Sequence, residues 1–418
     1  MKSISIRILA NKNPAYALIS IRACTAIVYK DRKETKDMDI DGHVAELSNL
    51  ARKASEINPN DLLSGFMEEH TKIVIYGAGA VGRNCINFSK NINDTNFEIT
   101  CFLDRNADLK PKYCGYPVYK PDDPCLSVDF RKEAVVILAL WLPIADYPKL
   151  EKELRALGYT KFVNAMHQLG VIIGDSYYES KGRQFFIQET DQILAAYKLM
   201  YDDHSRNVFY AIFRAYSLFD YNLPVLSLGM EQYVNVQIHF RHGFRNFVDC
   251  GAFTGDTLES LAKHHSVKCY FGLEPNFDNF VKLVRTYDKL KDKVEKAVFL
   301  PIGAGINNEF LQFAGSGETG KVDASGNKII HIVSLDNILK GYNNLMIKMD
   351  IEGAETLALL GARKTITETK PDLAICLYHK AEDLWHIPNL LHEWVPEYKF
   401  YIRNHESETF ETVLYATI

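Results

Sequence analysis

Chemistry concentrates in two short strings of this sequence. The first is Phe247-Val248-Asp249-Cys250-Gly251-Ala252-Phe253-Thr254-Gly255-Asp256-Thr257, an apolar run that ends in acids and glycines. The second is Ile347-Lys348-Met349-Asp350-Ile351-Glu352-Gly353-Ala354-Glu355, again an apolar run closed by acids and a glycine. Runs of this length bounded by glycine read as buried strands, and the residues after each turn read as helix starts. Open parallel sheets bind ligands beyond the carboxyl ends of their strands, so both strings put polar residues where a ligand would sit. They are expected to form opposite walls of one site.

Residue type narrows the ligand. The loop after Asp249 lacks the glycine pattern of dinucleotide sites and the lysine that holds a triphosphate. An acid beside the loop disfavours phosphate and suits a cation. Glu274 closes the next apolar run, Cys269 to Leu273, 19 residues after Gly255. A carboxylate there accepts hydrogen bonds from two ribose hydroxyls. A ligand with a ribose, a positive charge and no phosphate is S-adenosylmethionine (SAM). Gly251, Ala252, Phe253, Thr254, Gly255, Asp256 and Thr257 are therefore expected along the cofactor. Asp249 would stand beside its positive end, Glu274 and Pro275 at the ribose, Asp350 on the facing wall and Tyr233 as a roof.

Methyl transfer to a hydroxyl also needs a proton acceptor. His379 follows the apolar run Asp372 to Tyr378, and an ordinary histidine titrates near neutrality, as a base requires. A structural histidine is the competing reading. Asp350 and Glu352 complete the catalytic candidates. Asp350 stays open between lining the cofactor, acting as base and helping to hold a divalent metal. No His and Asp spacing forces a metal, and the site is read as having none. A helix is expected from Glu352 to Ile366, with Glu352 and Glu355 one turn apart on one face. Strand alternation turns Lys348 away from the side that Met349 faces.

Further strings fall in the same order along the chain: Glu231-Gln232-Tyr233, Glu274-Pro275, Tyr378-His379-Lys380 with Asp383-Leu384-Trp385, and Glu411-Thr412-Val413-Leu414-Tyr415-Ala416. Together with the first two, they make residues 231–417 resemble the FkbM family of SAM-dependent methyltransferases. The resemblance implies a class I methyltransferase sheet and methyl transfer to a hydroxyl, often on a sugar. It departs at Arg403-Asn404-His405, where relatives tend to carry paired histidines.

A second glycine string stands earlier. Lys72 to Tyr76 reads as a strand running into Gly77-Ala78-Gly79-Ala80-Val81-Gly82, a full G-x-G-x-x-G that opens a helix. The next strand, Glu98 to Leu103, ends at Asp104, 22 residues after Gly82, where a ribose-binding acid is expected. Gly77, Gly79, Ala80, Val81, Gly82 and Asp104 form a candidate nucleotide site, with plain packing of helix on strand the even alternative. With Phe102-Leu103-Asp104-Arg105-Asn106 and Gly115-Tyr116-Pro117-Val118, residues 72–140 resemble the sugar-nucleotide-binding half of certain hexapeptide acyltransferases. That resemblance implies a nucleotide-sugar at least as much as NAD.

The expected architecture is α/β with two Rossmann-like units. An N-terminal extension covers 1–70, a nucleotide or sugar-nucleotide unit 71–170, a helical bridge 171–240, and a class I SAM-dependent methyltransferase domain 241–418. Within the bridge, Phe209, Ile212, Phe213, Tyr216 and Phe219 share a helical face and read as core. A net charge of -5 and a pI near 6.2 give no pull toward nucleic acid or an acidic membrane. Eight cysteines without a Cys-x-x-Cys pair, and no apolar run of ~18 residues, point to a cytoplasmic protein with reduced thiols. The expected partner is a small-molecule or glycan acceptor, and a homo-oligomer is left open. Two other functions compete: an NAD-dependent oxidoreductase or epimerase working from the N-terminal loop, and a non-enzymatic sugar-nucleotide-binding assembly subunit.

Overall fold

The computed structural model describes residues 40–56, 71–91, 97–140, 146–165, 184–218, 230–234, 237–314, 321–322, 326–405, 409 and 411–418. The expectations for the arm at 1–37, for the break at 58–61 and for Phe219 lie outside these residues. The chain divides into two compact units, Met1–Arg183 and Gln184–Ile418.

The N-terminal unit is built on β1 (Thr71–Tyr76), β2 (Phe97–Leu103), β3 (Lys112–Tyr113), β4 (Tyr116–Tyr119), β5 (Val135–Leu138) and β6 (Lys161–Asn164). They form one sheet in the order β3-β4-β2-β1-β5-β6, parallel except for the β3–β4 pair. Alternate residues of β1 enter two cores: Ile73 and Ile75 pack with Phe102 and Ile137, while Val74 and Tyr76 pack with Leu103 and Val136. Burial on both faces is why this strand reads as an unbroken apolar run. Strand order reverses at β1, which lies between β2 and β5, so the ends of β1 and β5 diverge into a crevice.

The C-terminal unit holds a seven-stranded sheet in the order β16-β17-β15-β14-β7-β8-β9 and a four-stranded sheet in the order β10-β13-β11-β12. Its strands are β7 (Asn246–Cys250), β8 (Val267–Leu273), β9 (Val294–Leu300), β10 (Gly303–Ala304), β11 (Glu309–Ala314), β12 (Lys321–Val322), β13 (Lys328–Val333), β14 (Leu345–Met349), β15 (Asp372–Cys376), β16 (Lys399–Asn404) and β17 (Thr412–Thr417). The large sheet is parallel from β15 to β9, and β17 enters antiparallel between β15 and β16. The α/β class matches the sequence reading.

Two elements differ from it. The described part of the expected bridge, the helices Gln184–Gln188, Thr190–Leu199 and Asp203–Leu218, packs within the C-terminal unit. Its aromatic face needs cover, and Trp385 supplies it, with ring centroids 5.7, 6.3 and 6.1 Å from Phe185, Phe186 and Phe213. Arg403, from the stretch where the family resemblance departs, ties the same segment down through Asp202 at 2.6 Å. The long helix expected from Glu352 is instead two short ones, Glu355–Leu360 and Arg363–Thr369. Glu352 (φ 56°) and Gly353 (φ 90°) are left-handed and delay its start. Gly361 interrupts it where a side chain would lie 1.9 Å from the Gly305 carbonyl oxygen.

Candidate active site

The carboxyl ends of β7, β8, β14 and β15 supply the site, and its first support is an ion pair the sequence reading missed. Asp249 and Lys348 are register partners on neighbouring strands, each the lone charge in an apolar run. Lys348 Nζ lies 3.0 Å from Asp249 Oδ1 and donates to the Gly251 carbonyl at 2.8 Å. Tyr270 donates to the other Asp249 oxygen at 2.7 Å. Burial opposes the charge on Lys348, but Asp249, Asp350 and Asp256 outweigh it and hold the ammonium above its ordinary range. Asp249 is fully buried and spent on this pair, so it braces the loop from beneath instead of facing a ligand's positive end. The sequence signal was present: one acid and one base at matching places in two strands of the same sheet.

The glycine loop wraps over that pair. Gly251 (φ 78°) donates to the Leu273 carbonyl at 3.0 Å, and a Cβ there would lie 1.9 Å from the Asp350 carbonyl oxygen. The close approach requiring this glycine is thus to the chain's own β14 loop. Ala252 is buried, Phe253 is left-handed (φ 45°), and the Thr254 carbonyl accepts from Thr286 at 2.8 Å. Gly255 (φ 93°) precedes the helix Asp256–His264, whose first turn exposes Asp256 and buries Thr257.

Glu274, at the end of β8, reaches back to the loop. Its Oε2 accepts from the Phe253 amide at 3.0 Å and its Oε1 from the Asn276 amide at 2.8 Å, with Pro275 between the two acceptor turns. Each oxygen keeps a second lone pair, enough for two ribose hydroxyls. Burial pushes the carboxyl up to about 7 against those amide bonds. A glycine turn beside a carboxylate, with no lysine in the loop Gly251–Thr257 and with Lys348 already paired, fits SAM.

The β14 and β15 ends make the facing wall. Asp350 accepts from Tyr233 at 2.9 Å and from Tyr378 at 3.1 Å. Burial acts to raise its pKa, yet Lys348, His379 and these hydroxyls together hold it below the usual range. Tyr233 (φ 64°) is buried with its hydroxyl committed to Asp350, so it positions that acid and does not roof the site. His379 Nδ1 lies 2.9 Å from Glu355 Oε1, which also accepts from the Ile351 amide at 2.9 Å. His379 Nε2 lies 3.6 Å from Asp350 and 3.7 Å from Glu352. Burial opposes charge on His379, but Glu355, then Asp350 and Glu352, push it up to about 10. That shift favours the protonated ring over the free base expected at this position. Glu352, the most exposed of these acids at 42%, is raised to about 7 by burial, Asp350, Glu355 and Glu411 against His379. Glu355 and Glu411, absent from the expected site, bear on it directly; Glu411 (φ 50°) accepts from Gln232.

The N-terminal candidate site is also assembled. Gly77 and Gly82 are required by packing: a Cβ would lie 2.4 Å from the Ala139 carbonyl at Gly77, and 2.1 Å from the Gly77 carbonyl at Gly82. Gly79 has open space beside it. Ala80, Val81 and Gly82 open the helix Ala80–Asn91. Asp104 accepts from the Ala78 amide at 3.0 Å and the Asn106 amide at 2.8 Å. A cavity of about 460 Å³ lies in the crevice beside β1, lined in part by Gly77, Asp104, Arg105, Leu140, Lys149 and Glu153.

Residues 249–402 match the methyltransferase FkbM domain. The matched residues all lie within the C-terminal unit. The match begins at Asp249 and leaves the N-terminal unit outside it. A crystal structure of methyltransferase FkbM from Methylobacillus flagellatus KT superposes with a TM-score of 0.66 at 20% identity, over 90% of this chain and 100% of that one, and shares the fold across both units. The N-terminal domain of human METTL16 in complex with SAH aligns over 43% of this chain and 63% of its own at 13% identity, TM-score 0.25. The methyltransferase domain of bacterial CtHen1 aligns over 42% and 90% at 14% identity, TM-score 0.26. A search of curated proteins finds no match. No helix among the described residues is long and apolar enough to cross a membrane.

Proposed function

We propose that the C-terminal unit is a SAM-dependent O-methyltransferase acting on a hydroxyl of a sugar, free, glycan-bound or nucleotide-linked. The observation that carries this reading is Glu274, fixed by two backbone amides beside a glycine loop and still able to accept from a diol. SAM supplies a methyl group whose C–S bond breaks, the electron pair staying on sulfur, as the acceptor oxygen forms the new C–O bond. The loop Gly251–Thr257 and Glu274 bind it, while Asp350, locked by Tyr233 and Tyr378, presents a fixed negative charge to its cationic part. Glu352 takes the hydroxyl proton, since Asp350 is committed to two donors and His379 Nδ1 to Glu355. Such a base contributes ~10²–10⁴-fold. Calorimetry with S-adenosylhomocysteine is the test: the wild type binds and Glu274→Ala binds weakly, whereas equal binding by both removes the reading. The carbohydrate acceptor is checked by methyl-labelling a panel of free and nucleotide-linked sugars.

A second reading concerns the N-terminal unit alone. Its cavity beside Asp104 supports a nucleotide or nucleotide-sugar site. Ligand-observed NMR with a nucleotide-sugar and with NAD, on wild type and Asp104→Ala, decides between these ligands and plain packing.

A further inference from the structure

The facing wall holds more negative charge than the chain itself compensates. Asp350, Glu352 and Glu355 all address one imidazole, that of His379. The nearby ammonium of Lys348 is spent on Asp249 and the Gly251 carbonyl. Glu355 has no solvent exposure, and its Oε2 is buried without a hydrogen-bond partner. A buried carboxylate oxygen left unpaired is costly, so such an atom marks a missing donor or cation. Asp350, Glu355 and His379 also offer ligand atoms that all lie within 4.8 Å of one another.

We infer that Asp350, Glu355 and His379 bind one divalent transition-metal ion of the Mn²⁺ class at the carboxyl ends of β14 and β15. One imidazole nitrogen among carboxylates suits such an ion better than Mg²⁺, which prefers oxygen and retained water. The ion supplies the charge that Glu355 Oε2 lacks. Three protein ligands leave positions open for water or an acceptor hydroxyl, whose acidity and orientation a metal would set. This role in catalysis rests on the methyltransferase reading; the binding itself does not.

The probe is Mn²⁺ alone, titrated into the full chain and followed by loss of the free-ion EPR signal. The expected result is about one Mn²⁺ per chain, with nitrogen modulation of the bound signal that disappears in His379→Gln. Asp350→Asn and Glu355→Gln weaken binding at least ~10-fold, the scale on which even outer-shell partners act, while Asp191→Asn, at an exposed acid away from the wall, binds as the wild type does. Glu355→Gln keeps a carbonyl oxygen for His379 and the Ile351 amide, and a thermal melt beside the wild type confirms that the variant is folded before its Mn²⁺ binding is read. No saturable Mn²⁺ binding, or equal binding by folded wild type and Asp350→Asn, overturns the inference. S-adenosylhomocysteine calorimetry in chelator separates the claims: cofactor binding without Mn²⁺ binding sinks only the metal, and Mn²⁺ binding without cofactor binding sinks only the methyltransferase reading.

Discussion

The two units use one device for different ends. In each, a strand runs into a glycine turn, and an acid at the end of the next strand reaches back to the turn. Asp104 accepts from Ala78 and from the amide two residues on, Asn106; Glu274 accepts from Phe253 and from the amide two residues on, Asn276. The neighbouring strand end makes the difference. Beyond β5 the N-terminal unit offers Ala139 and Leu140, apolar residues. Beyond β14 the C-terminal unit offers Asp350, Glu352 and Glu355, with His379 opposite. The shared device ties a carboxylate to a glycine turn, and the charged wall beside it sets the C-terminal unit apart.

Breaking the support unique to the C-terminal unit should have the largest effect. Lys348→Met leaves Asp249 buried and unpaired, at a cost of about 3–5 kcal/mol, read as a lower denaturation midpoint of that unit with the N-terminal transition unmoved. A loss below 1 kcal/mol would mean Asp249 is carried neutral and the pair is no brace. Next, Glu274→Gln should weaken S-adenosylhomocysteine by about 10- to 100-fold, the worth of hydrogen bonds to a charged group. Asp104→Asn should leave that affinity unchanged. In the other unit, Gly82→Ala drives a methyl into the Gly77 carbonyl and should cost about 1–3 kcal/mol, measured by urea unfolding.

A pH profile sharpens the comparison further. Glu274 carries a carboxyl raised to about 7 by burial, and ribose hydroxyls donate to its ionised form. Binding therefore favours loss of its proton, so cofactor affinity should rise as pH passes upward through 7 and level off above it. The slope should vanish in Glu274→Gln. The smallest effect is expected from Gly79→Ala, which meets open space and should stay within about 0.5 kcal/mol in stability. A loss of nucleotide binding by this variant would show that the N-terminal loop serves a ligand as well as packing.

How much of this was legible follows from what each residue answers to. Strands β1, β7, β8 and β14 were readable because burial on both faces demands an apolar run. Glu274 was readable because its place depends only on strand length and turn. The Asp249–Lys348 pair was not read, since it depends on β14 lying beside β7 despite the chain between them, which is a matter of sheet order. The helix expected from Glu352 failed because periodicity is blind to backbone handedness, and two left-handed residues decide where it starts. His379 was placed correctly at a strand end, but its charge is set by Glu355, which the helical reading had turned toward Glu352. In the small sheet, β10 and β12 are two residues each, too short for an apolar run to mark them.

The position of β17 has a consequence in time. It is the last strand of its sheet to leave the ribosome and yet takes an interior place, pairing with β15 on one side and β16 on the other. Until Thr417 has emerged, β15, which leads to His379, has an unpaired edge. The N-terminal sheet is complete at Asn164, roughly 250 residues earlier, or some 10–50 s at ~5–20 residues per second. The N-terminal sheet can thus be finished while the C-terminal sheet still awaits an interior strand, and the wall of Asp350, Glu355 and His379 is the part most exposed to misassembly during synthesis.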